Sequence, residues 1–236
     1  MELFLVLLSA ITPVLVALWY IYRKDRVQPE PTKWLLKAFL FGILSALLSF
    51  GFSVPTSMLL GMELDANTYS SIPEAFSDAF ALAAIPEELA KFIMLWLLLR
   101  KNPYFDEHFD GIVYAVCVGM GFAGIENALY LVQGIEDGSW VSVGIGRALF
   151  SIPGHFLFAV LMGYYYSLYH FGIGRSAKAR GMILAAPILA HGIFDGILFS
   201  MQINESLSSL CMILFLVFFH KLKERGKERI ESLMNK

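Results

Sequence analysis

Charged residues fall along this chain in clusters, and between the clusters run seven stretches that are mostly apolar. They lie at about 3–22, 35–55, 75–99, 111–133, 143–169, 181–201 and 207–221. Each is near the ~20 residues with which an α-helix crosses a ~30 Å hydrocarbon core. Inside lipid the backbone must satisfy its own hydrogen bonds, so runs of this kind predict helices rather than open strands. The pattern predicts an all-α, polytopic transmembrane helix bundle of about seven spans. These fill most of the chain, so residues 1–236 read as a single membrane-embedded domain with the lipid bilayer as its surroundings.

The flanking charges orient the bundle. Arg23, Lys24 and Arg26 follow the first apolar stretch, and no small-residue cleavage site is present. A signal peptide has the opposite order, so this stretch reads as a retained helix. The turns after spans two, four and six lack Lys and Arg. The opposite side collects Arg23, Lys24, Arg26, Lys33, Lys37, Arg100, Lys101, Arg175, Lys178, Arg180, Lys221, Lys223, Arg225, Lys227, Arg229 and Lys236, which is 16 of the 18 basic residues. The positive-inside rule makes that side cytoplasmic, with the N-terminus outside and the C-terminus inside. The tail from Lys221 reads as a solvated helical extension.

Composition agrees: 57% of residues are hydrophobic and 16% charged, against about 25% charged in soluble domains. No basic block resembles a nucleic-acid-binding face. Cys117 and Cys211 sit in apolar runs and read as small buried side chains. The two halves contain no matched pair of broken helices of the kind a transporter uses.

Lys91 and Arg147, the two remaining basic residues, fall inside spans, as do Glu87, Glu88, Glu126, Asn127, His155, His191 and Asp195. One ionisable group at mid-membrane costs roughly 2.5–3.5 kcal/mol. Nine polar groups in four spans must therefore face one another or a wet cavity. Counted from the outer end at ~1.5 Å per residue, Glu87, His155 and His191 lie roughly 15 Å down, Glu126 and Asp195 roughly 10 Å. All five can meet in the outer half of the membrane.

In Pro86-Glu87-Glu88-Leu89-Ala90-Lys91, both carboxylates are one helical turn from the ammonium. One can be neutralised while the other stays free as a general base. Pro86 removes a backbone donor beside them. In Phe122-Ala123-Gly124-Ile125-Glu126-Asn127, Glu126 offers an oxygen ligand and Asn127 a supporting hydrogen bond. His155 shares a helical stripe with Ser151 and with Arg147, which near its span's outer end reads as snorkelling. His191 and Asp195 are one turn apart, as two ligands or as a ligand with an orienting partner. Gly119, Gly121, Gly124, Gly192 and Gly196 allow close helix approach. Two histidines with a carboxylate make a plausible catalytic zinc set with a position open for water. Zinc lowers the pKa of bound water towards ~7. Glu87 is placed to take the proton and return it to a leaving amine. The metal set would come from Glu126, His155, His191 and Asp195, the catalytic carboxylates from Glu87 and Glu88, and support from Lys91 and Asn127.

The ordered set Glu-Glu-x-x-Lys, Phe-x-x-x-Glu-Asn, a histidine in the next span and His-x-x-x-Asp resembles the PrsW family of bacterial membrane proteases. It is more remotely similar to the CAAX prenyl protease superfamily. Lys91 and Glu126 depart from the latter's Arg and His, which points away from prenylated substrates. The PrsW resemblance implies an intramembrane endopeptidase in the bacterial cell membrane, cutting a single-span protein on its extracytoplasmic side. The best-known role of the family is site-1 cleavage of an anti-sigma factor during envelope stress. Three other readings stand beside it: a metal-free protease in which a glutamate activates water directly, a transporter or channel whose buried charges line an ion path, and a non-catalytic scaffold or receptor, which leaves the cost of the buried charges unexplained.

Overall fold

A computed structural model describes residues 2–26, 28–64, 68–172 and 177–234, with 177–179 described by their backbone alone. The described chain is helical, in seven rods. They are α1 (Glu2–Lys24), α2 (Thr32–Leu60), α3 (Ile72–Asp78) running through a π turn into α4 (Ile85–Leu99), α5 (Asp110–Gln133), α6 (Trp140–Gly146) running through a second π turn into α7 (Ile152–His170), α8 (Ala177–Ser200) and α9 (Glu205–Met234). Six rods are long and apolar enough to cross a membrane. The seventh, α3–α4, carries Glu74, Asp78, Glu87, Glu88 and Lys91. The rods match the seven predicted stretches but overrun most of them.

The apolar residues divide in a way a soluble protein would not tolerate. Leu7, Leu8, Leu15, Leu40, Leu47, Ile213 and Leu214 are all exposed, forming an apolar exterior far beyond the patches of soluble monomers. The centre is α5, with 17 of its 24 residues buried. Glycines seat it: a Cβ built on Gly121 would stand 2.1 Å from the Phe39 carbonyl oxygen, and one on Gly42 2.1 Å from that of Val118. Only glycine lets α2 and α5 meet this closely. On α8, Cβ atoms at Gly192 and Gly196 would strike the rings of Phe80 and Phe76. The small-residue face predicted there is thus filled by the α3–π rod.

Contacts at one end of the bundle gather the segments predicted to be cytoplasmic. Gln28 donates to Asp106 at 3.0 Å, Tyr114 donates to Glu30, and Phe105 packs on Phe171. Arg175 and Lys236 of the basic set lie outside the described residues, as does the side chain of Lys178.

Two expectations change. The C-terminal segment is not simply solvated: α9 continues to Met234 and buries Leu222, Gly226, Ile230 and Leu233, a stripe at helical spacing. Arg229 donates to the Tyr164 hydroxyl at 3.1 Å. Arg147 does not snorkel, because acceptors on α5 hold it (below). Cys117 and Cys211 are buried free thiols.

Candidate active site

Each π turn lies immediately N-terminal to a proline that is followed by a site residue. Ala79–Ala84 precedes Pro86-Glu87-Glu88, and Arg147–Ser151 precedes Pro153 and then His155. Proline cannot donate to the carbonyl four residues back. For Pro86 that carbonyl belongs to Leu82, and the Ser53 hydroxyl of α2 donates to it at 2.8 Å. The π turn shifts the phase of the helix, and such bulges recur at functional sites. Here both shifts precede the residues that meet.

The meeting point draws on α4, α5, α7, α8 and the second π turn. Lys91 uses its three N–H bonds on three acceptors: Glu87 Oε2 at 3.2 Å, Glu88 Oε1 at 2.8 Å and His155 Nδ1 at 3.2 Å. It therefore contacts both carboxylates, where the sequence allowed one to stay free. The Phe122 ring lies 3.9 Å from the ammonium, close enough for a cation–π contact.

The two imidazoles are held alike. His155 has Nε2 on Glu126 Oε2 at 2.9 Å and Nδ1 towards Lys91. His191 has Nε2 on Asp195 Oδ2 at 3.0 Å and Nδ1 on Glu88 Oε1 at 3.0 Å. A carboxylate on the far nitrogen of an imidazole is the usual way to fix its orientation for a metal. Phe158 stacks on His191 at 4.6 Å between centroids.

Behind Glu126 stands Arg147, whose guanidinium reaches Glu126 Oε2 at 2.5 Å and Asn127 Oδ1 at 2.9 Å. It lies over the Tyr130 ring at 4.2 Å. Asn127 in turn donates to the Ala10 carbonyl at 2.8 Å, tying α5 to α1.

Glu87, Glu88, His155 and His191 each offer one donor atom, and these atoms all lie within 4.8 Å of one another. The sequence expectation assigned the metal set differently, with Glu126 and Asp195 as candidate ligands. In the structure those two contact the outward nitrogens of the histidines. The four clustered donors fit a divalent metal of the zinc class on three counts. Two nitrogens and two carboxylate oxygens are a donor set zinc accepts. Glu88 is fully buried, yet its Oε2 has no hydrogen-bond partner among the described residues. Finally, among the described residues, Glu87, Glu88, Glu126 and Asp195 face only Lys91 and Arg147 as permanent cations. With neutral imidazoles the cluster then holds two uncompensated negative charges, which one divalent cation would balance.

The cluster opens into a cleft of about 600 Å³ whose lining includes Glu87, Phe122, Glu126, Tyr130, Ser49 and Ser53. Glu88 does not line it. Sequence reasoning did not assign roles to Phe122, Tyr130 and Phe158. Their spacing carried the signal, since Phe122 and Tyr130 stand four residues either side of Glu126 and Phe158 stands three after His155.

Comparison with known proteins identifies the family. The family profile described as "PrsW family intramembrane metalloprotease" matches residues 30–222. "Protease PrsW" of Clostridioides difficile (strain 630) is 34% identical over 230 residues, 97% of this chain and 91% of that protein. The protein of the same name from Geobacillus kaustophilus (strain HTA426) is 32% identical over 82% of this chain and 80% of its own length. That from Bacillus subtilis (strain 168) is 30% identical over 98% of this chain and 99% of its own. No solved structure matches the chain.

Proposed function

Because the chain belongs to the PrsW family of intramembrane proteases and is a multi-pass bacterial membrane protein, we propose that it is a metalloendopeptidase with Glu87 as general base. The observation that carries this reading is the asymmetry of the glutamate pair. Glu87 lines the cleft, whereas Glu88 is sealed beneath it between Lys91 and His191. Only the first can meet both a water and a scissile peptide.

A divalent metal held by Glu88 and the inward nitrogens of His155 and His191, with Lys91 giving up its contact to His155 Nδ1, would polarise the peptide carbonyl and acidify water. The chain's own residues do the rest. Glu87 removes a proton from the attacking water as the oxygen–carbon bond forms. It then delivers that proton to the nitrogen as the carbon–nitrogen bond breaks. Lys91 holds Glu87 and Glu88 in place, and Glu126 and Asp195 orient the imidazoles. The substrate is a single-span membrane protein, such as an anti-sigma factor, cut towards its extracytoplasmic side. The loop charges favour this side by placing the cleft in the outer half of the membrane and the C-terminus in the cytoplasm.

The test is co-expression of tagged single-span reporters with wild type, Glu87→Gln and His191→Ala at matched protein levels. Cleavage by wild type alone is expected; equal cleavage by both variants would refute the assignment. Purified protein that cleaves unchanged in a strong chelator would point to the metal-free glutamate mechanism.

A further inference from the structure

The outer part of the cleft contains a charged group that this mechanism does not use. Asp78 ends α3 and lines the cleft; it is 8% exposed and makes no hydrogen bond or ion pair with another described residue. Its oxygens are open to the cleft rather than sealed in, so the charge is available to a ligand that enters there. The lining carries four carboxylates, Glu63, Asp78, Glu87 and Glu126, and no Lys or Arg. Beside Asp78 stands an aromatic wall. Tyr69 and Phe199 stack at 5.4 Å and both line the cleft. Burial and then the Asp78 charge push the Tyr69 hydroxyl up to about 12, so it remains a protonated donor and ring face. A carboxylate beside aromatic faces, in a cleft without positive charge, is a receptor for an organic cation.

We propose that Asp78 binds a lysine or arginine side chain of the substrate and so selects where the chain is cut. The proposal rests on the protease reading and adds a specificity residue to it. The structure also sets the register. Asp78 and Glu87 are nine residues apart on one rod, which is about 13 Å at the α-helical rise and somewhat less across the π turn between them. An extended peptide advances ~3.3 Å per residue. The basic residue therefore lies about four positions from the scissile bond, on the side away from the membrane. Basic residues are depleted outside a transmembrane helix by the positive-inside rule, so this requirement would exclude most single-span proteins.

The experiment uses the full chain in proteoliposomes with a library of single-span reporters randomised along the segment next to the membrane. Cleaved members are identified by mass spectrometry. Wild type is expected to enrich Lys or Arg about four positions outward. Asp78→Asn should lower the basic-to-neutral cleavage ratio roughly 10-fold or more, the scale of a charge-assisted hydrogen bond. Asp78→Lys should favour Asp or Glu at that position. Each ratio comes from one preparation, so a smaller folded fraction does not alter it. No basic enrichment, or the same enrichment in Asp78→Asn, would overturn the proposal while leaving the protease reading intact. Acidic enrichment that appears only with added Mg²⁺ or Ca²⁺ would make Asp78 a metal ligand instead and would also overturn it. No cleavage of any reporter by wild type, or equal cleavage by Glu87→Gln, would defeat the protease reading and the subsite with it.

Discussion

Replacing Lys91 by Met removes the permanent positive charge that pairs with both glutamates of the cluster. The ammonium is 3% exposed and makes three contacts, at 2.8 Å to Glu88 and at 3.2 Å to Glu87 and to His155. Methionine fills similar space and offers no charge. Glu88, fully buried, then keeps only His191, and its Oε2 remains without a partner. Breaking a buried ion pair from one side costs about 3–5 kcal/mol, because the surviving charge is left uncompensated. For a chain of this size that lowers the midpoint of thermal unfolding by on the order of 10 °C. The measurement is thermal unfolding in detergent with chelator present, on wild type, Lys91→Met and the double variant Lys91→Met/Glu88→Gln. Neutralising Glu88 removes the stranded charge, so the double variant is expected to be more stable than Lys91→Met by about 1–3 kcal/mol. A Lys91→Met midpoint equal to wild type, or a double variant no more stable than the single, would show that Lys91 does not compensate Glu88.

Gly121→Ala should destabilise by about 1–3 kcal/mol, since its Cβ would sit 2.1 Å from the Phe39 carbonyl oxygen. It should also reduce cleavage, because carbon contacts prefer ~3.5–4.0 Å and α5, which carries Phe122 and Glu126, must move by more than ~1 Å. Gly51→Ala, with nothing within 4 Å of its Cβ, is the neutral control, and an equal loss in the two would contradict the packing argument. Outside the spans, burial, eased by the Tyr114 hydroxyl and reinforced by the Asp110 charge, raises the Glu30 carboxyl from 4.5 to about 8. The folded state then binds this proton more tightly than the unfolded state, so stability falls as pH rises from 4.5 to about 8 and levels off above. Glu30→Gln should flatten that slope in a pH series of unfolding midpoints; an unchanged slope would assign it to other groups.

The fold was legible in the sequence because hydropathy reads directly what a membrane demands. Helix ends were less so. Hydropathy marks the stretch in hydrocarbon, while α2 and α9 continue as helix beyond it, to Leu60 and Met234. The buried stripe of α9 was masked by the Lys and Glu residues between Leu222, Gly226 and Ile230. Site membership was legible because ionisable residues in apolar runs have so few explanations. The pairing was not. Whether Glu87 or Glu88 lines the cleft depends on rotation about the helix axis, and the π turn at Ala79–Ala84 shifts that rotation within the same rod. The Glu126–Arg147 pair joins residues 21 apart on separate helices, and no local spacing rule reaches that far.

Carboxylates and imidazoles from separate helices are proposed to surround one metal position beside the cleft. An experimental map of the zinc-loaded protein, with anomalous scattering at the zinc edge, decides it. One peak per chain is expected, at the ~2.0–2.2 Å distances typical of zinc with nitrogen and oxygen, from His155, His191 and Glu88. A peak elsewhere, or these side chains turned to separate faces of their helices, would contradict it.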